Sequence, residues 1–163
     1  MRLLLLLPLG FFALAMAGCP GPNLDTEPRV IPGTGEVEFV TLTSGVDDLV
    51  LTNGVQGGTH VWGAARAIGM DWRDLTVSWT LTDEEGEEVS EPTTIRQSLQ
   101  PCAQAEAGCL AGMGEIVAVT VILESASSVR GDELTLTVEA FDDEGREAMA
   151  TSSVRPISQV VVD

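Results

Sequence analysis

Residues 75–82, Leu-Thr-Val-Ser-Trp-Thr-Leu-Thr, decide the fold because apolar and hydroxyl side chains alternate there without a break. Successive side chains of a β-strand point to opposite faces, so a period of two predicts a strand with one buried and one wet face. Residues 134–140 repeat the pattern, with Leu134, Leu136 and Val138 on the apolar face. Each segment is therefore predicted to form a half-buried strand.

Both strands run into an acidic turn of the same kind. Residues 83–86 read Asp-Glu-Glu-Gly, and residues 142–145 read Asp-Asp-Glu-Gly. Glycine adopts positive φ at little cost, which is what a tight hairpin requires at one position. The two segments therefore predict hairpins closed by Gly86 and Gly145.

The rest of the chain supplies further short strands with turns about every ten residues, which predicts two sheets that bury their apolar faces against each other. The fold class expected is all-β, a single antiparallel sandwich. Strands are predicted at residues 36–42, 48–52, 60–68, 93–99, 115–123 and 147–154. The predicted core consists of Val37, Phe39, Val61, Trp62, Leu75, Val77, Trp79, Leu81, Val117, Val119, Val121, Leu134, Leu136 and Val138.

The strand pattern and the terminal segment, residues 141–146 (Phe-Asp-Asp-Glu-Gly-Arg), resemble the last strands of bacterial immunoglobulin-like and fibronectin-like domains. The resemblance implies an immunoglobulin-like β-sandwich of about seven to nine strands. The chain contains no Tyr, so the tyrosine corner of such domains is absent.

The first residues are predicted to direct export. Arg2 precedes an apolar run too short to span a bilayer as a helix, and small residues follow it. Met16-Ala17-Gly18-Cys19 resembles the lipobox of bacterial lipoproteins, in which the cysteine is acylated and becomes the new N-terminus. The resemblance implies lipidation of Cys19. An ordinary secretory signal cleaved after Ala17 or nearby is the alternative.

Prolines and glycines dominate residues 20–35, and this composition predicts an extended tether. The chain is accordingly divided into a signal peptide at 1–18, the lipidated Cys19 with its tether at 19–35, and a sandwich domain at 36–163. Pro20 follows the cysteine in place of the Asp that retains lipoproteins at the inner membrane. The resemblance therefore implies a cell-envelope protein anchored in the outer membrane.

The charge balance is strongly acidic. Twenty-five Asp and Glu residues face eight Arg residues and no Lys, which gives a formal charge of −17. Such a surface displaces no counterions from a phosphate backbone, so nucleic-acid binding is excluded. It also resists non-specific association, which predicts a monomer, and it is repelled by anionic headgroups, which leaves membrane attachment to the lipid.

The remaining cysteines predict a disulfide. With Cys19 taken by lipid, Cys102 and Cys109 form the only possible intramolecular pair in an exported chain. The bond would staple a short loop. A redox role is the alternative, and it lacks the Cys-x-x-Cys spacing.

Catalysis is not expected. His60 is the only histidine, which excludes zinc sites built on two or three His residues, and no Gly-x-Ser-x-Gly motif is present. A triad of His60 with Ser44 or Ser78 and Asp71 is a further alternative, but no nucleophile elbow supports it. The chain is therefore predicted to be no enzyme and to carry no cofactor.

A more specific hypothesis is that His60 belongs to the rim of a binding site. Gln56, Gly57, Gly58, His60 and Trp62 place an aromatic ring beside a polar ring and bare backbone, which is how many binding surfaces are built. The alternative is a histidine at the start of a strand whose ring is hydrogen-bonded beside Trp62. Residues 56–62 also resemble a run found in predicted lipoproteins of Gram-negative bacteria with high-G+C genomes, and that resemblance implies no activity.

The expected function is that of a lipid-anchored, non-catalytic envelope module that binds or assembles with an envelope protein or polymer. The alternative is a Ca²⁺-binding sandwich that uses its acidic hairpin loops for rigidity or adhesion. Asp83, Glu84, Asp142 and Asp143 are the candidate ligands, although their spacing matches no Asp-x-Asp-x-Asp-Gly loop. Solvated hairpin tips are the simpler interpretation of these carboxylates.

Overall fold

The computed structural model describes residues 21–43, 45–54, 58–102 and 107–158. These residues form an almost entirely β structure, as the sequence predicts. The strands are β1 Arg29–Thr34, β2 Val40–Thr41, β3 Asp47–Asn53, β4 Thr59–Ile68, β5 Leu75–Thr82, β6 Thr93–Gln97, β7 Gln100–Pro101, β8 Gly114–Leu123, β9 Leu134–Asp142 and β10 Glu147–Ser158; a short helix, α1 Ala126–Val129, precedes β9. The predicted signal peptide and the lipobox-like Met16-Ala17-Gly18-Cys19 lie outside the described residues.

Strands β5 and β9 confirm the alternation read from the sequence. Leu75, Val77, Trp79 and Leu81 of β5 are all buried, and the Thr and Ser residues between them are half-exposed. The two strands pair antiparallel along the whole of β5, with Trp79 opposite Val138. Their apolar faces therefore point to the same core.

The sheet is mixed and curls on itself. Its hydrogen-bonded path runs β2-β1-β4-β3-β10-β9-β5-β6, while β8 pairs with the other edge of β4 and carries β7. Strand β3 pairs antiparallel with β4 through Thr52 and Asn53, and it pairs parallel with β10 through Asp47 to Leu51. The expectation of purely antiparallel pairing is therefore corrected at this pair. A period of two fixes which face of a strand is buried, but it does not fix the direction of the neighbouring strand.

The core lies inside the curl and centres on Trp79. A Cβ placed on Gly63 of β4 would come within 3.1 Å of both the Trp79 ring and the Val121 side chain. The indole therefore packs directly against the bare backbone of β4, and its Nε1 donates to the Ala64 carbonyl at 3.4 Å. Interiors are packed at crystal-like density, so a side chain at position 63 would force Trp79 or Val121 to shift.

Four members of the predicted core are placed differently. Val37 is 82% exposed, and Phe39, Trp62 and Val117 are only partly buried. For Val37 and Phe39 the cause is local, because residues 36–39 form a bend and a loop where a strand was predicted, and only Val40–Thr41 is extended and paired. Apolar residues in such a segment do not share a common face.

Strand β1 lies within the segment predicted as a tether. It pairs antiparallel with β4 from Arg29 opposite Ile68 to Gly33 opposite Ala64. Pro32 does not interrupt the pairing of β1 with β4. Its carbonyl accepts a hydrogen bond from Leu42 N and so points away from β4. The N–H that proline lacks would point in the same direction, so no β1–β4 hydrogen bond is lost.

Candidate functional site

His60 and Trp62 lie on the outer face of β4. The intervening Val61 is buried and Gly63 contacts the core, so the residues that alternate with them point away from Trp79. In the register with β8, His60 stands opposite Ile122 and Trp62 stands opposite Thr120. On the other edge of β4, Thr52 of β3 stands opposite His60. We call Thr52, His60, Trp62, Thr120 and Ile122 the His60–Trp62 surface.

The two rings meet edge to face, with centroids 4.7 Å apart and planes at 79°. His60 is only 9% exposed, and its Nε2 is buried without a hydrogen-bond partner among the described residues. The ring therefore lies beside Trp62 as predicted, and the hydrogen bond predicted for the ring is not made at Nε2 within the described residues. A buried polar atom left unpaired costs roughly 1–3 kcal/mol.

The apolar part of this surface is exposed. Ile122 is 40% exposed, and Trp62 is half-buried. Sequence reasoning missed Ile122 because its place beside His60 depends on the β4–β8 register, which no local pattern encodes. Gly58 precedes the strand with φ +84, while Gln56 and Gly57 of the predicted rim lie outside the described residues.

The other half of this outer face is covered by the chain itself. Arg66 is 2% exposed, and its guanidinium lies 4.2 Å from the centroid of the Phe39 ring. Its Nε donates to Glu115 Oε2 at 2.6 Å, and its Nη1 donates to the Ala107 carbonyl at 2.8 Å. Arginine is well suited to such a site because its planar cation pairs and stacks at once. The guanidinium thus binds the loop that carries Ala107 to β4.

The predicted disulfide joins Cys102 and Cys109, whose Cα atoms are 5.8 Å apart. The two cysteines form a small apolar cluster with Ile31, Ile68 and Met113. The disulfide therefore lies at the end of the sheet opposite His60.

The chain also enters the domain at that opposite end. Asn23 N donates to the Gly112 carbonyl at 3.4 Å, and β1 begins with Arg29 beside Ile68. Strand β4 has ten residues, so His60 lies about 27 Å along the strand from Ile68. The His60–Trp62 surface is accordingly remote from the point where the N-terminal segment arrives.

The predicted hairpin turns are both present and alike. Asp83 Oδ1 accepts from the backbone N–H groups of Glu85 and Glu87, and Asp142 Oδ1 accepts from those of Glu144 and Arg146. Gly86 and Gly145 supply the positive φ, at +86 and +79. In each turn the first Asp caps its own hairpin.

The four candidate calcium ligands are not brought together. Along β5, Leu75 stands opposite Asp142 and Thr82 stands opposite Thr135, so the turns with Asp83–Glu84 and with Asp142–Asp143 lie at opposite ends of the strand. Within the described ranges, no group of three or more His, Cys, Asp or Glu side chains is placed to hold a metal ion.

Asp142 instead connects the loop at Asp71 to its own hairpin through hydrogen bonds. Its side chain is fully buried and accepts from Asp71 N at 2.9 Å and from Arg146 Nε at 2.8 Å, in addition to its turn contacts. Burial alone raises the pKa of this carboxyl. The hydrogen bonds from the Asp71 and Arg146 backbones, with the Arg146 guanidinium, outweigh that effect, so the pKa is held below the ordinary value of 3.8.

The triad considered from the sequence is also not assembled. Ser78 lies on the outer face of β5 and shares a hydrogen bond with Thr94 at 2.9 Å. Asp71 is paired with Arg73, and it follows the end of β4 opposite His60. Ser44 lies outside the described residues.

Comparison with known proteins gives no family model that matches the chain and no curated protein that matches it. The described residues contain no helix long and apolar enough to cross a membrane.

Proposed function

We propose that this chain is a lipid-anchored envelope protein of immunoglobulin-like fold that binds a partner through the His60–Trp62 surface and performs no catalysis. The observation that carries the proposal is the surface itself. A buried imidazole whose Nε2 has no hydrogen-bond partner among the described residues, an edge-on indole and an exposed Ile122 lie on the part of the β4 outer face that Arg66 and Phe39 do not occupy.

The strand order supports an immunoglobulin-like sandwich. In that fold one sheet contains strands A, B and E and the other contains G, F and C. The orders β3-β4-β8 and β10-β9-β5 correspond to these two sets. The buried Trp79 of β5 then takes the place of the tryptophan on strand C.

The entry point of the chain sets the orientation that a lipid anchor at Cys19 would give the domain. Arg29 and Asn23 fix the N-terminal end of the domain beside Ile68 and Gly112, so a tether from Cys19 reaches the end remote from His60. The lipobox-like residues imply acylation, and Pro20 implies the outer membrane. A monomer anchored in this way presents the His60–Trp62 surface away from the bilayer to an envelope protein or polymer.

Site-specific photocrosslinking in intact cells tests the binding surface. A benzoylphenylalanine at Thr120, beside Trp62, is expected to give a discrete adduct, and the Trp62→Ala change is expected to abolish it. The same probe at Thr94, on the outer face of β6, is the matched control and should give none. Equal adducts from both positions, or adducts that survive Trp62→Ala, would contradict the proposal.

Metabolic labelling tests the anchor. Radioactive palmitate should label the full-length protein, and the Cys19→Ser variant should lose both the label and its sedimentation with membranes. A Cys19→Ser protein that still carries the label would refute lipidation at this residue. Protease treatment of intact cells then distinguishes a surface orientation from a periplasmic one.

A further inference from the structure

A second exposed patch lies on the β9–β10 hairpin, on the outer face of the other half of the sheet. Phe141 stands opposite Glu147, and Glu139 stands opposite Met149. Residues that face each other across a sheet have Cβ atoms about 4.5–5.5 Å apart, and neighbours two positions along one strand share a face. The four side chains therefore form a square with the two apolar groups on one diagonal and the two carboxylates on the other.

This β9–β10 patch is open to solvent. Phe141 is 49% exposed and Met149 is 66% exposed, so two large apolar side chains of one hairpin reach solvent together. Together with Ala140 and Ala148, the four residues line a shallow depression of about 380 Å³. A phenyl ring and a thioether are thus held at a concave surface between two carboxylates.

The chain supplies no cation to these carboxylates within the described residues. Neither Glu139 nor Glu147 forms an ion pair in that part of the structure, and the chain has no Lys. The arginine of the same hairpin, Arg146, forms ion pairs with Asp142 and Glu144. Two carboxylates on one face therefore keep their charge available to a partner.

The chemistry of the patch selects a cation. The face of an aromatic ring is electron-rich and attracts a guanidinium or ammonium group, and thioethers adapt their shape to whatever packs on them. Carboxylates on either side add charge-assisted hydrogen bonds to the same group. We propose that the β9–β10 patch binds an Arg or Lys side chain from a basic segment of a partner protein.

Charge complementarity favours this occupant over the two alternatives. A second copy of the chain would bring the same two carboxylates and a net charge of −17 against the first. An anionic membrane surface would be repelled by Glu139 and Glu147 for the same reason. A basic protein segment satisfies both the carboxylates and the exposed ring.

Peptide titration of the full-length protein in a neutral detergent tests the proposal. The probe is a five-residue alternating Arg–Leu peptide, and a peptide with Gln at each Arg position is its control. With methyl-labelled methionine, the Arg peptide is expected to shift the Met149 signal saturably, and the Gln peptide is expected to leave it unchanged. A Met149 signal that does not move, or that moves equally with both peptides, would overturn the inference.

A pair of matched double variants separates the patch from the general acidity of the protein. Glu139→Gln with Glu147→Gln should weaken the Arg peptide about tenfold, because both charge-assisted contacts are lost. Glu84→Gln with Glu85→Gln removes the same charge at the opposite end of β5 and should change the affinity less than about twofold. Equal losses in the two variants would mean that the overall field alone attracts the peptide.

The ring has its own test. Phe141→Leu keeps an apolar side chain and every charge, and it should weaken binding about threefold through the loss of the cation–π contact. An unchanged affinity would remove Phe141 from the site and contradict the proposal. Failure of these experiments leaves the proposed function standing, since the His60–Trp62 surface lies at the other end of the molecule on a different face.

Discussion

At the scale of single residues, the buried carboxylate of Asp142 accepts four hydrogen bonds. Its carboxylate joins the loop at Asp71 to the β9–β10 hairpin through both backbone and guanidinium donors. A buried acceptor of this kind is costly to disturb because each donor left behind stays buried and unpaired.

The Asp142→Asn change is therefore expected to lower the free energy of unfolding by about 2–4 kcal/mol. Urea denaturation of the purified protein measures the change. Asp143→Asn is the matched control, because Asp143 is its neighbour and pairs with Arg96 at an exposed position. Similar losses from the two variants would show that Asp142 is not the residue that joins the two segments.

The same carboxyl predicts how stability depends on pH. The folded-state pKa of Asp142 lies below its unfolded value, and the pKa values of Asp71 and Asp74 are lowered by hydrogen bonds from Arg73 and Arg96. Their stabilising contribution is complete above an unfolded pKa of about 3.9 and is lost as the pH falls through the folded values. The melting temperature should hold from pH 7 to about 5 and fall below about 4. The Asp142→Asn variant should show a shallower acid decline, and an equally steep one would argue against this assignment.

At the scale of elements, β4 is the strand that the rest of the sheet is built around, since it pairs with β1, β3 and β8. The close approach of Gly63 to Trp79 makes β4 sensitive to an added side chain. Gly63→Val should lower the free energy of unfolding by about 1–3 kcal/mol, because the indole must leave its packed position. Gly45→Val is the control, since a Cβ there meets nothing within 4 Å. Calorimetry of both variants measures the difference, and a Gly63→Val protein as stable as the control would contradict this packing.

An element was predictable where its own residues alternate regularly between apolar and polar side chains. The alternation of Leu75 to Thr82 gives β5 residue by residue, and the glycines of both acidic turns lie at positive φ as expected. Strand β1 was not predictable in this way, because Pro32 reads as a breaker until its carbonyl is known to face Leu42. The sequence also carries no sign that β3 pairs with β10, which lies about a hundred residues further along the chain.

The residues of the two candidate surfaces also differ in how far the sequence could predict their positions. His60 and Trp62 are two positions apart on one strand, so a period of two already places them side by side. Ile122 and the pairing of Phe141 with Glu147 depend on registers between strands. Arg66 was missed for a further reason, since a charged residue is expected at the surface. Its burial depends on contacts with the Glu115 carboxylate and the Phe39 ring, which the sequence does not reveal.

At the scale of the whole molecule, the disulfide fastens the end where the chain enters. Replacing Cys102 and Cys109 together by Ala should lower the free energy of unfolding by about 2–3 kcal/mol, because the short closed loop no longer restricts the unfolded chain. Guanidinium denaturation of the double variant against the intact protein measures the effect. The wild-type protein in the presence of a reductant is the control and should match the double variant. A loss confined to the double variant would point to damaged packing around Met113 and not to the covalent link.

The three arginines paired with Asp71, Asp74 and Asp142 all lie at the end of β5 where the chain enters, whereas the acidic turn at residues 83–86 lies at the other end. Since Arg96 pairs with both Asp74 and Asp143, these contacts connect the loop before β5 to the turn after β9. Exposed ion pairs are screened by dissolved ions, so concentrated salt should weaken this connection.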